Sequence, residues 1–210
     1  MKNIDPKLVS YIECEIFPIY ETFDEGHDLN HIKAVIERAL ELGEGIDGVD
    51  MNIVYTASAL HDIGIKVQRK NHAYYSGVFV REDGKLKEFF SNEEIEIIAQ
   101  AVEDHSTSKG IEPRSIYGKI ACDADKDLDI NTSLLRAYEF TKKYFPDYSE
   151  EECINNVYEQ LNFKFGKEGK VKFWIGARKQ NEFLKQMKRL ASDRTSFEKL
   201  IKTLIEEKNN

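Results

Sequence analysis

Apolar residues recur at spacings of three and four along most of this 210-residue chain. That spacing places them on one face of an α-helix, whereas a half-buried strand would show them at every second position. One such seam runs over 32–40 and another over 53–60, and Pro113 opens a third that runs towards Asp125. The pattern therefore predicts an all-α fold, a helical bundle in which each helix buries one face.

The last third of the chain departs from this pattern. Apolar and polar residues alternate over 163–173 around a glycine-bracketed turn, which indicates either a small β-hairpin or two helix ends. No internal repeat or low-complexity linker interrupts the sequence, so we expect a single domain over 1–210. Its core would span 10–135, and a C-terminal helical extension would span 136–210.

Composition narrows the functional classes. The net charge of −8 and the pI of about 5.3 disfavour a general nucleic-acid surface or a membrane-binding face. No stretch approaches the roughly 20 apolar residues of a membrane span. Cys14, Cys122 and Cys153 form no CxxC pair, so neither a disulfide framework nor a thiolate zinc site is indicated. We expect a cytoplasmic protein that binds neither nucleic acid polymers nor membranes.

Several polar side chains fall on the apolar seams. His61 lies four positions after Ala57 and His105 lies three after Val102, while Asp125 ends a third seam. A buried Asp beside a buried His needs a compensating partner, because an unpaired charge in the interior is costly. A divalent cation would satisfy several such groups at once, and mixed nitrogen and oxygen donors suit transition metals. The alternative is that each His is an ordinary hydrogen-bonded residue.

Five sequence motifs follow one another in an order typical of one family. In chain order they read FDEGHDLNHIKAVIERAL, ALHDIGIK, NHAYYSG, AVEDHSTSKGI and IACDADKDLD. Over about residues 10–135 the chain thereby resembles the HD superfamily of metal-dependent phosphohydrolases, in particular a bacterial branch. The resemblance implies an HD-type helical bundle with a metal site in its helix core.

The resemblance also implies a set of ligands for one divalent ion, which would be Mn, Fe, Ni, Zn or Mg. The ligands are His31, the dipeptide His61 and Asp62, and finally Asp125. His27 lies one helical turn before His31 and would contact the substrate or support that ligand.

Two further histidines decide between one ion and two. Some HD branches bind a second ion with histidines placed between the dipeptide and the last Asp, and this chain has His72 and His105 in those intervals. Their contexts, NHAYYSG and EDHSTS, resemble the single-ion branch, in which these side chains face the substrate phosphate. We therefore expect one ion, with a second ion as the alternative.

The implied reaction is hydrolysis of a phosphate ester or anhydride, with a nucleotide as substrate by the resemblance alone. Asp62 would ligate the ion and orient the attacking water, while His105, or else His72, would supply protons. Some relatives carry an acidic base just after the dipeptide, but residues 63–66 read IGIK here, which leaves the general base unassigned. The alternatives are a nucleotide-sensing module without turnover and an oxidative di-iron enzyme, which would need both extra histidines as ligands.

Basic side chains close in sequence to these ligands are candidates for binding phosphate, because Arg can hold two oxygens and Lys acts as a point charge. Alternatively, each of these basic side chains is a solvated charge on the protein surface. With His27, the candidates are Lys66, Arg69, Lys109, Arg114 and Lys126. We expect the partner to be a small phosphorylated molecule, and the sequence leaves the oligomeric state open, a homodimer included.

Two competing metal motifs are weaker. Residues 27–31, HDLNH, place two histidines four apart as in HExxH proteases, but Asp28 stands where the catalytic Glu should be. The segment that begins at Asp123 imitates a calcium loop, yet its sixth position is Leu128 instead of Gly and its twelfth is Leu134 instead of Glu. The HD ligand set is therefore favoured.

Overall fold

The structure, a computed structural model, describes residues 4–23, 26–106 and 111–209. It is all-α, as the apolar spacing predicted, and no strand occurs among these residues. Up to Lys126 the elements are α1 (Pro6–Tyr11), a π-helical segment (Ile12–Ile16), α2 (Phe17–Tyr20), α3 (Leu29–Glu44), α4 (Met51–Leu60), α5 (His72–Glu82), α6 (Asn92–Asp104) and α7 (Ile116–Asp125), with 3-10 turns at Ile63–Lys66, Arg69–Asn71 and Leu86–Glu88. Beyond it lie α8 (Ile130–Tyr144), α9 (Glu150–Phe165), α10 (Arg178–Ser192) and α11 (Arg194–Asn209).

Packing divides the described residues into two compact units. The first ends at Lys126 and the second begins at Asp127. The predicted boundary between core and extension, which follows the extent of the family resemblance, lies nine residues later, between 135 and 136. In the structure Leu134 and Tyr138 belong instead to the core of the second unit. That both units form one HD-type domain stays a prediction.

Helix α4 lies at the centre of the first unit. Its residues from Ile53 through Leu60 are all buried, and it contacts α3, α6 and α7. A helix that is apolar on every side is stable only when other helices surround it. Because α4 ends at Leu60, the chain delivers the next two residues, His61 and Asp62, directly into the interior.

The turn after α4 lies directly against α5. A β-carbon on Gly64 would come 2.1 Å from the carbonyl oxygen of His72 and 2.5 Å from the backbone nitrogen of Ser76. The residue that follows α4 is His61, so Gly64 is not the C-terminal cap of that helix. Because Gly64 has no side chain, the 3-10 turn Ile63–Lys66 and the first turn of α5 can approach each other this closely.

The second unit, α8 to α11, has its own core, and the hairpin suggested over 163–173 is absent from it. Residues 163–165 are the last turn of α9: Phe165 is 7% exposed and Phe163 is 71% exposed, as expected of helical rather than extended backbone. After Gly166 the chain reverses, and Val171 N–H donates to the Lys164 carbonyl at 3.2 Å, but residues 166–177 form no strand. The alternating residues are thus a helix end followed by an irregular segment.

None of the helices in the described part of the chain has both the length and the apolarity that crossing a bilayer requires. The expected cytoplasmic location stays a prediction.

Replacing Gly64 with Ala is expected to lower the free energy of unfolding by about 3 kcal/mol, because the new β-carbon meets backbone atoms that cannot move aside. Denaturant unfolding followed by circular dichroism measures the change. The matched control is Gly84→Ala, where a β-carbon would have nothing within 4 Å and the effect should stay within about 0.5 kcal/mol. Equal losses in both variants would contradict the close approach.

Candidate metal centre

The four residues that the sequence proposed as ligands lie together in the first unit. His31 belongs to α3, His61 and Asp62 follow α4, and Asp125 ends α7. The Nε2 atom of His31 is 3.4 Å from that of His61 and 3.3 Å from Oδ1 of Asp125. Oδ2 of Asp62 is 3.3 Å from His61 Nε2 and 3.7 Å from His31 Nε2. Three helices separated in sequence therefore bring their polar ends to one point.

Two contacts orient the outer members of this group. Asp28 caps α3, and its Oδ1 accepts the backbone N–H of His31 at 2.9 Å, which satisfies one of the free donors of the helix N-terminus. Arg38 donates from Nε to the carbonyl of Ala124 at 2.6 Å and so ties the end of α7 to α3. The Asp of the HDLNH motif is thus a helix cap in this structure.

His72 and His105 complete the cluster from the opposite side of Asp62. Oδ1 of Asp62 lies 3.2 Å from Nε2 of His72 and 3.4 Å from Nε2 of His105, and these two nitrogens are 3.1 Å apart. The carboxylate therefore presents one oxygen to each pair of histidines. Two groups have the spacing to hold an ion: His31, His61 and Asp62, and Asp62, His72 and His105. The sequence expected the second pair to face a substrate phosphate instead.

Three of the histidines make the same kind of contact, each with the backbone carbonyl three residues earlier. Nδ1 of His61 lies 2.7 Å from the carbonyl oxygen of Ser58, three residues earlier. His72 has the same relation to Arg69 at 2.9 Å, and His105 to Val102 at 2.5 Å. A carbonyl only accepts, so Nδ1 carries a proton, and Nε2 is the ring atom that faces Asp62.

This donor set fits a divalent metal. Neutral imidazoles whose Nε2 lone pairs face each other, as in the His72–His105 pair, repel unless a positive charge lies between them. The buried carboxylate of Asp62 adds negative charge to the same small volume, and Asp125 adds more at its edge. A cation with nitrogen and oxygen ligands satisfies all of these atoms together.

The electrostatics of the cluster keep the acids ionised. Burial raises the pKa of Asp62, but His61 and His105, when protonated, lower it by a larger amount, and the pKa lies well below the ordinary range. Burial also raises the pKa of Asp125, and His31 and His61 reverse that shift. Burial lowers the pKa of His61, yet Asp62 and Asp125 raise it overall. Burial lowers the pKa of His72, which favours its neutral, ligating form.

Solvent reaches some members of the cluster and not others. The side chains of His61, Asp62 and His105 are at most 3% exposed, whereas that of Asp125 is 33% exposed and that of His72 is 19% exposed.

Two of the expected phosphate-binding residues lie beside the cluster. An Nη2 atom of Arg69 is 3.4 Å from Nδ1 of His27, whose ring stands 6.0 Å from that of His31. Lys66 is exposed at the end of the 3-10 turn that follows Asp62. Their roles towards a substrate stay predictions.

The other basic candidates are engaged by protein groups, or lie outside the description. Arg114 donates from Nε to the carboxylate of Asp104 at 3.0 Å and from Nη2 to Glu103 at 2.7 Å. Lys126 donates from Nζ to the carbonyl of Cys122 at 2.6 Å. Lys109 lies outside the described residues. The sequence showed these charges but not the acids and carbonyls that the fold brings to them.

Sequence reasoning missed Ser76, which is fully buried. Its Oγ donates to the carbonyl of His61 at 2.7 Å and accepts the N–H of Gly64 at 2.9 Å. The available signal was the pair Ser76-Gly77 inside an amphipathic helix, since neither residue favours a helix interior and both are small enough for close packing.

Comparison with protein families agrees with this geometry. The model of the HD domain family matches residues 28–128, a range that holds every member of the cluster. The chain contains an HD domain over these residues. Neither the curated proteins nor the solved structures contain a match to it. The HD superfamily consists of metal-dependent phosphohydrolases, and the His/Asp cluster of this chain is suited to a divalent metal.

Asp62→Asn should abolish the stabilisation that Mn²⁺ confers on the wild type, because an amide removes the charge that both histidine pairs share. Mn²⁺ at about a hundred times its Kd should stabilise the wild type by about 2.7 kcal/mol. Thermal unfolding with Mn²⁺ and with EDTA measures the difference. The control Asp127→Asn removes an acid two residues after Asp125 that faces Arg136, and it should respond as the wild type does. A full Mn²⁺ response in Asp62→Asn would exclude the site.

Proposed function

We propose that this chain is a two-ion phosphohydrolase that cleaves a phosphate ester or anhydride, with a nucleotide as its substrate. One observation carries the proposal: within an HD domain, each oxygen of the Asp62 carboxylate faces a separate pair of histidine Nε2 atoms. In a phosphohydrolase with one ion, the second pair would face the substrate phosphate rather than the Asp62 carboxylate. The nucleotide rests on the resemblance to the superfamily.

The ligands divide into two sets that share Asp62. His31, His61, Asp125 and Oδ2 of Asp62 would hold one ion, and His72, His105 and Oδ1 of Asp62 would hold the other. Divalent ions in these positions supply Lewis acidity to a phosphoryl oxygen and lower the pKa of the attacking water. Because the Nδ1 protons of His72 and His105 are donated to backbone carbonyls, both rings are better arranged to ligate than to transfer protons.

The charge around the site supports an anionic substrate. Residues 63–81 contain four basic side chains and no acidic one, in a chain whose net charge is −8. Arg81 is paired with Glu96 and Glu103, whereas Arg69 lies beside His27 and close to the first set of ligands. We assign Arg69 and His27 to a phosphate oxygen of the substrate, and Lys66 to the same anion.

An oxidative di-iron enzyme is the second candidate, because it would use the same two histidine pairs around one carboxylate. Iron content and oxygen consumption separate the two functions. An iron-to-protein ratio near two, with oxygen consumption and no release of phosphate from phosphate esters, would identify the oxidative enzyme.

The direct test is a phosphate-release assay. Purified protein with Mn²⁺ should release phosphate or pyrophosphate from at least one member of a panel of nucleoside mono-, di- and triphosphates, and Asp62→Ala should abolish the release. Asp127→Asn, which leaves the cluster intact, is the control. Tight ion binding without hydrolysis of any phosphate compound would contradict the proposal and favour a nucleotide-sensing module.

Arg69→Ala should raise the KM for the substrate about tenfold with little change in kcat, since one charged hydrogen bond contributes about 1.5 kcal/mol. Lys70→Ala removes the neighbouring exposed charge and should change KM by less than about twofold. Steady-state kinetics at fixed ionic strength compare the two variants. Equal effects would assign the attraction to general charge rather than to a contact at Arg69.

A further inference from the structure

Ser76 interrupts the turn that carries Asp62. In a simple turn over residues 61–64, the N–H of Gly64 would donate to the carbonyl of His61. Here the N–H of Gly64 donates to Ser76 Oγ at 2.9 Å, and Ser76 Oγ–H donates to the His61 carbonyl at 2.7 Å. The hydroxyl of Ser76, on α5, therefore lies between His61 and Gly64, the two ends of the turn that contains Asp62.

Both backbone groups depend on this hydroxyl. The carbonyl of His61 lies at the end of α4, where helix carbonyls lose their intrahelical partners, and the N–H of Ile65 donates to Asp62 instead. Ser76 is 0% exposed, so its removal would leave a buried donor and a buried acceptor to find new partners. The nearest repair is the direct bond between Gly64 and His61, which would tighten the turn and draw it away from α5.

The position of Ser76 links that turn to the second pair of histidines. Ser76 follows His72 by one helical turn on α5, so the two side chains share a face. The next residue, Gly77, faces α6: a β-carbon there would come 2.4 Å from Oε1 and 2.7 Å from Cγ of Glu103. Glu103 cannot easily yield, because Arg81 and Arg114 both hold it. Helix α5 is thus confined between the Asp62 turn and the helix that precedes His105.

We propose that Ser76 is a positioning residue that sets the distance between the Asp62 carboxylate and the His72–His105 pair, and so determines whether the second ion binds. The proposal rests on the two-ion function above. The first set of ligands depends less on Ser76, because Asp28 orients His31, the Ser58 carbonyl orients His61 and Arg38 holds the end of α7, each through a contact that does not involve α5.

Calorimetric titration with Mn²⁺ tests the proposal on the full chain. Ser76→Ala should bind the first equivalent as the wild type does and the second about 10- to 100-fold more weakly. Electron paramagnetic resonance gives a readout independent of activity. At one to two equivalents of Mn²⁺, the wild type should show the signal of a coupled Mn²⁺ pair, and Ser76→Ala should lack it. The control Thr141→Ala removes another buried hydroxyl, which donates to the Ala137 carbonyl in the second unit, and it should keep both affinities.

Should Ser76→Ala fail to fold, Ser76→Cys is measured in its place, because a thiol has nearly the same size but is a weak donor and acceptor. Wild-type affinity for both equivalents in the variant that folds, or an equal loss of both, would overturn the positioning role. A wild type that binds only one ion would overturn it as well. A wild type that binds a coupled ion pair but releases no phosphate would contradict the proposed function and leave the role of Ser76 intact.

Discussion

The buried carboxylate of Asp62 is the charge on which the arrangement of the first unit depends. An isolated carboxylate at 3% exposure would be strongly destabilising. Here His31 and His61 face one oxygen while His72 and His105 face the other. Segments from α3, α5 and α6 therefore converge on the side chain of Asp62, which follows α4.

The ligands occupy helix ends, and this explains how a helical bundle holds so many polar groups in its core. His61 and His105 each follow the last residue of a helix, and His72 begins one. At a helix C-terminus backbone carbonyls lack helical partners, and the rings of His61 and His105 each contact one of them through Nδ1. The ring of His72 contacts instead the Arg69 carbonyl of the 3-10 turn that precedes α5. The same contact orients Nε2 towards the centre, so the capping of the helices and the preparation of the ligands are one interaction.

The sequence was sufficient for the features that depend on local pattern. Apolar spacing predicted the helices, and the order of motifs led to His31, His61, Asp62 and Asp125, which the structure brings together. The local pattern led to a wrong prediction where one pattern of residues is compatible with two kinds of structure. Alternation at 163–173 suggested a hairpin, but in the structure Phe165 packs from the last turn of α9.

Features that depend on contacts between distant segments were beyond the sequence. Arg114 seemed available for phosphate because its partners, Glu103 and Asp104, belong to another helix. The orientation of His72 and His105 towards Asp62, and the insertion of Ser76 into the turn, likewise follow from the packing of α5 between its neighbours. A one-dimensional pattern records which groups are present, whereas their pairing is decided by the fold.

Crystallographic anomalous scattering at the manganese edge, from crystals grown with Mn²⁺, tests the central claim most directly. The account predicts two peaks on opposite sides of the Asp62 carboxylate, one beside His31, His61 and Asp125 and the other beside His72 and His105. A single peak, or ions that do not contact Asp62, would contradict it.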